Sequence, residues 1–435
     1  MVFAEMGRFR KEKKLVTLRF AHILIVPLLT LFAVAHAAAL DAAQPEDVGM
    51  SSERLERLSA ELQEYVDNGR LSGAVALVAR RGKVVYHEAF GDRDPEADSP
   101  MRDDTIFRIA SQTKAIVSTG VLVLQEEGEL LISDPVGKYL PGFLETTVAV
   151  PRAGGGYDVV AAERPITIRD LLTHTSGFAY GTGIASDRWR EAGIQGWYFA
   201  DRDEPIAETV ARMAKLPADA QPGEAWVYGY SIDILGALIE RVSGQRLDEF
   251  VNERILQPLG MTDTHFYLPK SKRDRLAAVY SFAPDGVVRA PDAGSAGQGA
   301  YLDGPRKSFS GGAGLLSTAS DYARFLQMTL NGGELDGRRI LGPKTVELMT
   351  VDHLGAVTFE DGEGFGLGFS VVEDLGVRGV PGSVGEYGWG GAYHSVYWVD
   401  PGEALVVVYM TQLIPAGDID DQLKVRALVY QAIVE

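Results

Sequence analysis

Residues 108–120 read "RIASQTKAIVSTG" and place Ser111 three positions before Lys114. An apolar helical run begins at this point. From Thr113 to Leu124 almost every residue is apolar or small, which predicts a helix buried on most sides. Ser111 then stands at its first turn, with Lys114 one turn on and on the same face. A serine there is a good N-cap, and a lysine can snorkel its amine to the surface. Taken alone, "SQTK" fits that reading better. The other reading is a nucleophile and its base. A helix N-terminus favours negative charge near Ser111, and burial beside Ala115, Ile116 and Val117 disfavours an ammonium at Lys114. A partly neutral lysine can take a serine's proton. The rest of the chain has to decide between them.

Outward from this helix, strand patterns lie toward both ends. "SSERLERLSAELQEYVDNG" (51–69) is an amphipathic helix with Leu55, Leu58, Leu62 and Val66 at helical spacing, a serine at its start and Gly69 at its end. "GAVALVARRGKVVYHEAFG" (73–91) predicts two strands around a turn at Arg81-Gly82. "HSVYWVDPGEALVVVYM" (394–410) predicts two more around Asp400-Pro401-Gly402. The closing "DDQLKVRALVYQAIVE" predicts a helix with Leu423, Ala427, Tyr430 and Val434 on one face. Between these ends, "ITIRDLLTHTSGF" (166–178) and "SIDILGALIERVSG" (231–244) read as helices, and "VPRAGGGYDVVAAERP" (150–165) as loop or short hairpin. The expected architecture is α+β: an antiparallel sheet flanked by helices, with an inserted, mainly helical subdomain. The sheet subdomain is expected over about 45–104 and 291–435, and the helical one over about 105–290.

Two further stretches hold candidate chemistry. In "PGEAWVYGYSIDILG" (222–236), Tyr228 follows a Pro-Gly turn and precedes a helix. Near a lysine ammonium its phenolate would be stabilised, which suits a proton relay. Tyr230 is an equal candidate on chemistry alone. In "GWGGAYHSVYWVDP" (388–401), the glycines let a backbone come close to a ligand. An N–H from this stretch and that of Ser111 would make a two-donor oxyanion hole.

Together the three stretches resemble the serine β-lactamase and penicillin-binding-protein-like superfamily, and within it the β-lactamase-fold carboxylesterases called family VIII esterases. The likeness spans roughly residues 45–435. "SQTK" matches its S-x-x-K. Pro222-Gly223 before the tyrosine, with Asp233, Leu235 and Gly236 after it, matches its second motif and favours Tyr228. Trp389, Gly390 and Gly391 stand where β-lactamases carry Lys-Thr-Gly. "LLTHTSGF" (171–178), "PLGMTDTHF" (258–266) and "GGAGLLSTASDYARF" (311–325) agree as landmarks. The resemblance implies the β-lactamase/D,D-peptidase-like fold, Ser111 as the acylated nucleophile, Lys114 and Tyr228 as the proton-transfer pair, and the N–H groups of Ser111 and Ala392 as oxyanion donors. It implies no cofactor and no metal.

The chain departs from the pattern at two positions. Tyr230 stands where class C β-lactamases have an asparagine that binds the substrate amide. Trp389 replaces a lysine that helps bind the carboxylate of β-lactams and peptidoglycan stems. Loss of a cation removes an ion pair, and a flat ring replaces it, so the expected substrate is a small neutral ester. A β-lactamase or D,D-peptidase is the alternative, and a catalytically silent binding protein is a third reading. His394 is a further oddity, either lining the site or held structurally.

Composition narrows the field. The 435 residues carry a formal net charge of -18, which disfavours nucleic acid and anionic lipid as partners. The absence of cysteine excludes disulfides and thiolate chemistry. No G-x-S-x-G elbow is present, which excludes an α/β-hydrolase. Basic residues from Arg8 to Arg19, the apolar "AHILIVPLLTLFAVA" and the small residues of "AHA" at Ala35–Ala37 predict a signal peptide over residues 1–37. The expected location is therefore periplasmic or secreted, with no stable membrane insertion after cleavage. The loops at 146–165 and 179–205 are expected to build the acyl and alcohol pockets.

Overall fold

The centre of the molecule is strand β1 (Gly73–Arg80), every residue of which is buried. It pairs on one side with β2 (Lys83–Asp94) and on the other with β8 (Leu405–Met410). The computed structural model describes residues 40–435, which belong to one compact unit. The expected signal peptide lies outside the described residues. Among those residues, no helix is long and apolar enough to cross a membrane.

The main sheet has eight strands. Adding β3 (Ser99–Pro100), β4 (Glu363–Phe365), β5 (Ser370–Val372), β6 (Tyr387–Gly391) and β7 (Ser395–Asp400), its order is β4-β5-β6-β7-β8-β1-β2-β3, antiparallel throughout. Arg81 and Gly82 both have positive φ (53° and 76°), the geometry of a tight hairpin turn between β1 and β2. Between β7 and β8 the turn occupies residues 401–404, slightly beyond the expected tripeptide.

A side-chain period of two divides β1 and β8 between two cores. Val75, Leu77 and Ala79, with Val406, Val408 and Met410, face the larger core that the helical half supplies. Ala74, Ala76 and Val78, with Leu405, Val407 and Tyr409, face a smaller core. That smaller core is closed by α1 (Ser52–Asp67), through Leu55, Leu58 and Leu62, and by the last helix, α5 (Asp421–Tyr430), through Val425 and Val429. The Ser51 hydroxyl caps α1, accepting from the Arg54 N–H. On α5 the buried face differs from the expected one. Leu423 and Val434 are exposed and Ala427 points outward, while Asp421, Val425 and Val429 turn inward.

On the other face of the sheet lie α2 (Thr113–Glu126), α3 (Ser231–Ser243) and α4 (Ala319–Leu330). Residues Thr113 to Leu124 of α2 are all buried, as the apolar run predicts. The helix expected over 166–178 is only Ile168–Leu172, closed at its start by a capping box between Thr167 and Asp170. After it the chain turns sharply at His174 (φ 57°). The glycine-rich stretch at 150–165 falls in a hairpin, Thr147–Pro151 paired with Tyr157–Ala161.

Candidate active site

Ser111 sits in a single helical turn, Ala110–Gln112, just ahead of α2. Ala110 has φ 41°, a left-handed conformation that costs a non-glycine residue energy and recurs at functional turns. The turn is held from behind. The Ile109 N–H donates to Leu315 O at 3.1 Å, the Leu315 N–H to Thr113 Oγ1 at 3.0 Å, and the Tyr322 hydroxyl to Gln112 O at 2.8 Å. The landmark at 311–325 therefore serves as the buttress of the "SQTK" turn.

Lys114 does not snorkel. It is 2 % exposed, and its ammonium donates to Ser111 Oγ at 3.1 Å, Tyr180 OH at 3.2 Å and Gly312 O at 2.7 Å. It also lies 4.6 Å from the centre of the Tyr228 ring. Gly312 is fixed by Asp233 of α3, whose Oδ1 accepts from the Gly312 N–H at 3.1 Å and from Ser310 Oγ at 2.6 Å. Burial pushes the Asp233 carboxyl up, opposed by these bonds and by Lys114.

Tyr228 is carried on a segment laced to the landmark at 171–178. The Gly223 N–H donates to Thr175 O at 2.7 Å, Val227 to His174 O at 2.8 Å and Tyr230 to Phe178 O at 3.2 Å. Gly229 is required there, because a Cβ would meet Phe178 O at 2.2 Å. Trp389 contributes more than a flat wall: its indole Nε1 donates to the Tyr228 hydroxyl at 3.0 Å. Behind these two rings stand Trp226, Phe359, Phe365 and His174, with neighbouring centroids about 5 to 6 Å apart. Burial, and then the charge of Lys114, hold His174 well below its ordinary pKa, so its ring is neutral.

A cavity of about 470 Å³ opens over Ser111. Tyr180, Trp197, Tyr228 and Trp389 form its aromatic side, and Gly390, Gly391, Ala392, His394, Ser395, Ala416 and Gln422 complete it. Gly391 lies close under the nucleophile turn, where a Cβ would meet Ile109 O at 2.6 Å. The sequence candidates Ser111, Tyr228, Trp389, Gly390, Gly391 and Ala392 thus border one space, with Lys114 directly beneath. Tyr230 does not. It is fully buried, its hydroxyl donates to Gly196 O at 2.9 Å and Tyr180 O at 3.2 Å, and its ring stacks on Trp189. The two-residue step from Tyr228 spans the entry into α3, which turns the second side chain inward.

Tyr180 takes the polar place expected of Tyr230. It follows "LLTHTSGF" by two residues, and only its nearness to that landmark could have drawn attention to it. Burial, then the neighbouring Tyr228 and Asp233, raise its pKa well above the ordinary value, so it stays a neutral phenol. Trp197 and Tyr180 come from the loop expected at 179–205, whereas none of the lining residues comes from 146–165.

A serine and a buried lysine in contact below an open cavity, on an antiparallel sheet flanked by helices, define a serine hydrolase of β-lactamase fold. The chain belongs to the Beta-lactamase family, whose model matches residues 58–430. It is 36% identical over 374 residues to Esterase EstB of Burkholderia gladioli, covering 82% of this chain and 89% of that protein. It is also 36% identical over 373 residues to Protein Rv1367c of Mycobacterium tuberculosis, covering 83% and 90%. Among solved structures, EstCE1, described as a hydrolase with promiscuous acyltransferase activity, superposes with a TM-score of 0.75 at 31% identity, covering 87% of this chain and 98% of that one.

Proposed function

We propose that the protein hydrolyses small, neutral carboxylic esters through an acyl-enzyme on Ser111. The observation that carries this reading is the Lys114 Nζ at 3.1 Å from Ser111 Oγ, below a cavity whose described lining has no lysine or arginine. Gly312 O can only accept, so it keeps one lysine proton pointed away from the serine. A neutral Lys114 then donates to Gly312 O and Tyr180 and has its lone pair left for the Ser111 proton. Tyr228, against the same amine and bonded by Trp389, is placed to pass a proton to the leaving alcohol. Lys114 and Tyr228 act as one coupled unit, so the proton belongs to the pair. The N–H groups of Ser111 and Ala392 supply the oxyanion donors. The esterase relative supports an ester as the acyl donor. We place the activity outside the cytoplasm, on the strength of the basic and apolar N-terminal segment.

The test is hydrolysis of p-nitrophenyl butyrate beside nitrocefin. Ser111→Ala is expected to lower kcat by at least about 10³-fold. Lys114→Ala and Tyr228→Phe should each be severely impaired, and the double variant hardly worse than either single one. Full ester activity in Ser111→Ala, or faster turnover of nitrocefin than of any ester, would overturn the reading.

A further inference from the structure

The cavity has two chemically different sides. Besides its four aromatic rings, the lining holds a polar corner made by the adjoining His394, Ser395 and Gln422. His394 has φ 63°, a conformation that favours glycine, yet it is pinned there. Its N–H donates to Gly391 O at 3.0 Å, and its carbonyl accepts from Thr411 Oγ1 at 2.7 Å and Gln422 Nε2 at 3.1 Å. Its ring Nε2 lies 2.6 Å from Oδ1 of Asp421, a fully buried carboxylate at the first turn of α5. Asp421 Oδ2 accepts the Tyr409 hydroxyl at 2.7 Å. Asp421 thus meets one donor at each carboxyl oxygen. Nε2–H faces a carboxylate acceptor, and Nδ1 is the ring nitrogen without a hydrogen-bond partner among the described residues.

The neighbouring atoms extend the pattern. Gln422 spends its amide nitrogen on His394 O, which leaves its oxygen as an acceptor. Ser395 is 1 % exposed and its Oγ has no hydrogen-bond partner, although the residue lines the cavity. A buried hydroxyl without a partner is costly. The corner thus offers acceptors, Gln422 Oε1 and the Nδ1 of a neutral His394, beside a lining otherwise aromatic and aliphatic, with the unpartnered Ser395 hydroxyl buried at its edge. That set complements a hydroxyl group, which can donate to it. It suits neither a carboxylate, which only accepts, nor a plain alkyl chain.

We infer that the corner formed by His394, Ser395 and Gln422 binds a hydroxyl on the substrate, so that the preferred esters carry a free alcohol a few atoms from the ester bond. The inference rests on the esterase reading. Asp421 acts as a positioning residue that fixes the His394 tautomer.

Two matched pairs of esters test it, followed by pH-stat titration. One pair is 2-hydroxyethyl butyrate and propyl butyrate; the other is methyl 3-hydroxybutyrate and methyl 3-methylbutyrate. The hydroxylated member of at least one pair should have a kcat/KM about five- to tenfold higher, the worth of a good neutral hydrogen bond. The first pair assigns the hydroxyl to the alcohol portion, the second to the acyl portion. In His394→Gly, which relieves the backbone, and in Gln422→Leu, the ratio should fall toward one. A ratio within one preparation does not depend on the folded fraction. Turnover without preference in either pair, or a preference that survives both substitutions, overturns this inference alone. No turnover of any of the four esters overturns the esterase reading and this one with it.

Discussion

Lys114 combines a buried amine with three fixed acceptors and an aromatic face, and each limits what the amine can do. Gly312 O, a carbonyl, can only accept, whereas Ser111 Oγ and the neutral phenol of Tyr180 each carry a proton of their own. The same economy applies at Trp389. Its indole N–H donates to the Tyr228 oxygen, so the flat ring also supplies Tyr228 with a hydrogen-bond donor. Trp389→Phe keeps a flat apolar wall and deletes that donor. The expected result is a fall in kcat of about tenfold or more on p-nitrophenyl butyrate, since hydrogen bonds to a charge-bearing group are the stronger kind. An unchanged kcat with a raised KM would mean that the ring serves substrate binding only.

At the scale of elements, the site depends on how closely β6 approaches the turn before α2. Gly391 permits that approach: an added Cβ would strike both Ile109 O and Ser395 Oγ at 2.6 Å. Gly391→Ala is therefore expected to push the strand end outward and lower kcat at least about tenfold by misplacing the Ala392 N–H, with the circular dichroism spectrum retained. Wild-type kcat in this variant would show that the strand end has room to spare. The three motifs that build these elements were legible in the sequence, because each needs unusual residues: a lysine in an apolar helix, a Pro-Gly turn before a tyrosine, and consecutive glycines at a strand end. Less was legible where tertiary contacts chose between equal local options. Tyr228 and Tyr230 are the same residue type, and only the start of α3 decides which one faces the cavity. On α5 the expected stripe at Leu423, Ala427, Tyr430 and Val434 misleads at all but Tyr430, which packs against the smaller core, because the buried face begins with an acidic residue, Asp421, that meets His394 and Tyr409. Tyr180 has no motif of its own. Its place follows from the lacing of residues 222–230 onto 174–178, which no local pattern encodes.

For the molecule as a whole, stability responds to pH through groups outside the lining of the Ser111 cavity. His265 is one such group: burial, and then the Lys272 ammonium, lower its pKa from 6.5 to about 4. Its Nε2 lies 3.1 Å from Lys272 Nζ, with which it shares a hydrogen bond. The unfolded chain takes up a proton at this residue as pH falls below about 6.5, and the folded chain does so only near 4. Stability contributed by the neutral ring is thus present at pH 7 and is lost as pH falls between those values. His265→Gln lacks this penalty. Its urea-unfolding free energy relative to wild type should rise by up to about 3 kcal/mol between pH 7 and 4. A constant difference across that range would exclude the linkage.

The pairing of β1 with β8 has a consequence for synthesis. Val75 lies opposite Met410, so the middle of the sheet is made from the two ends of the described chain. A ribosome delivers β1 first and its central partner almost last, and during that interval a strand that is apolar from Ala74 to Ala79 has only β2 beside it. Until β8 emerges, one edge of β1 lacks its partner. Contact formation over such a separation in sequence is slow. The centre of the sheet is therefore completed only by one of the last segments to be made.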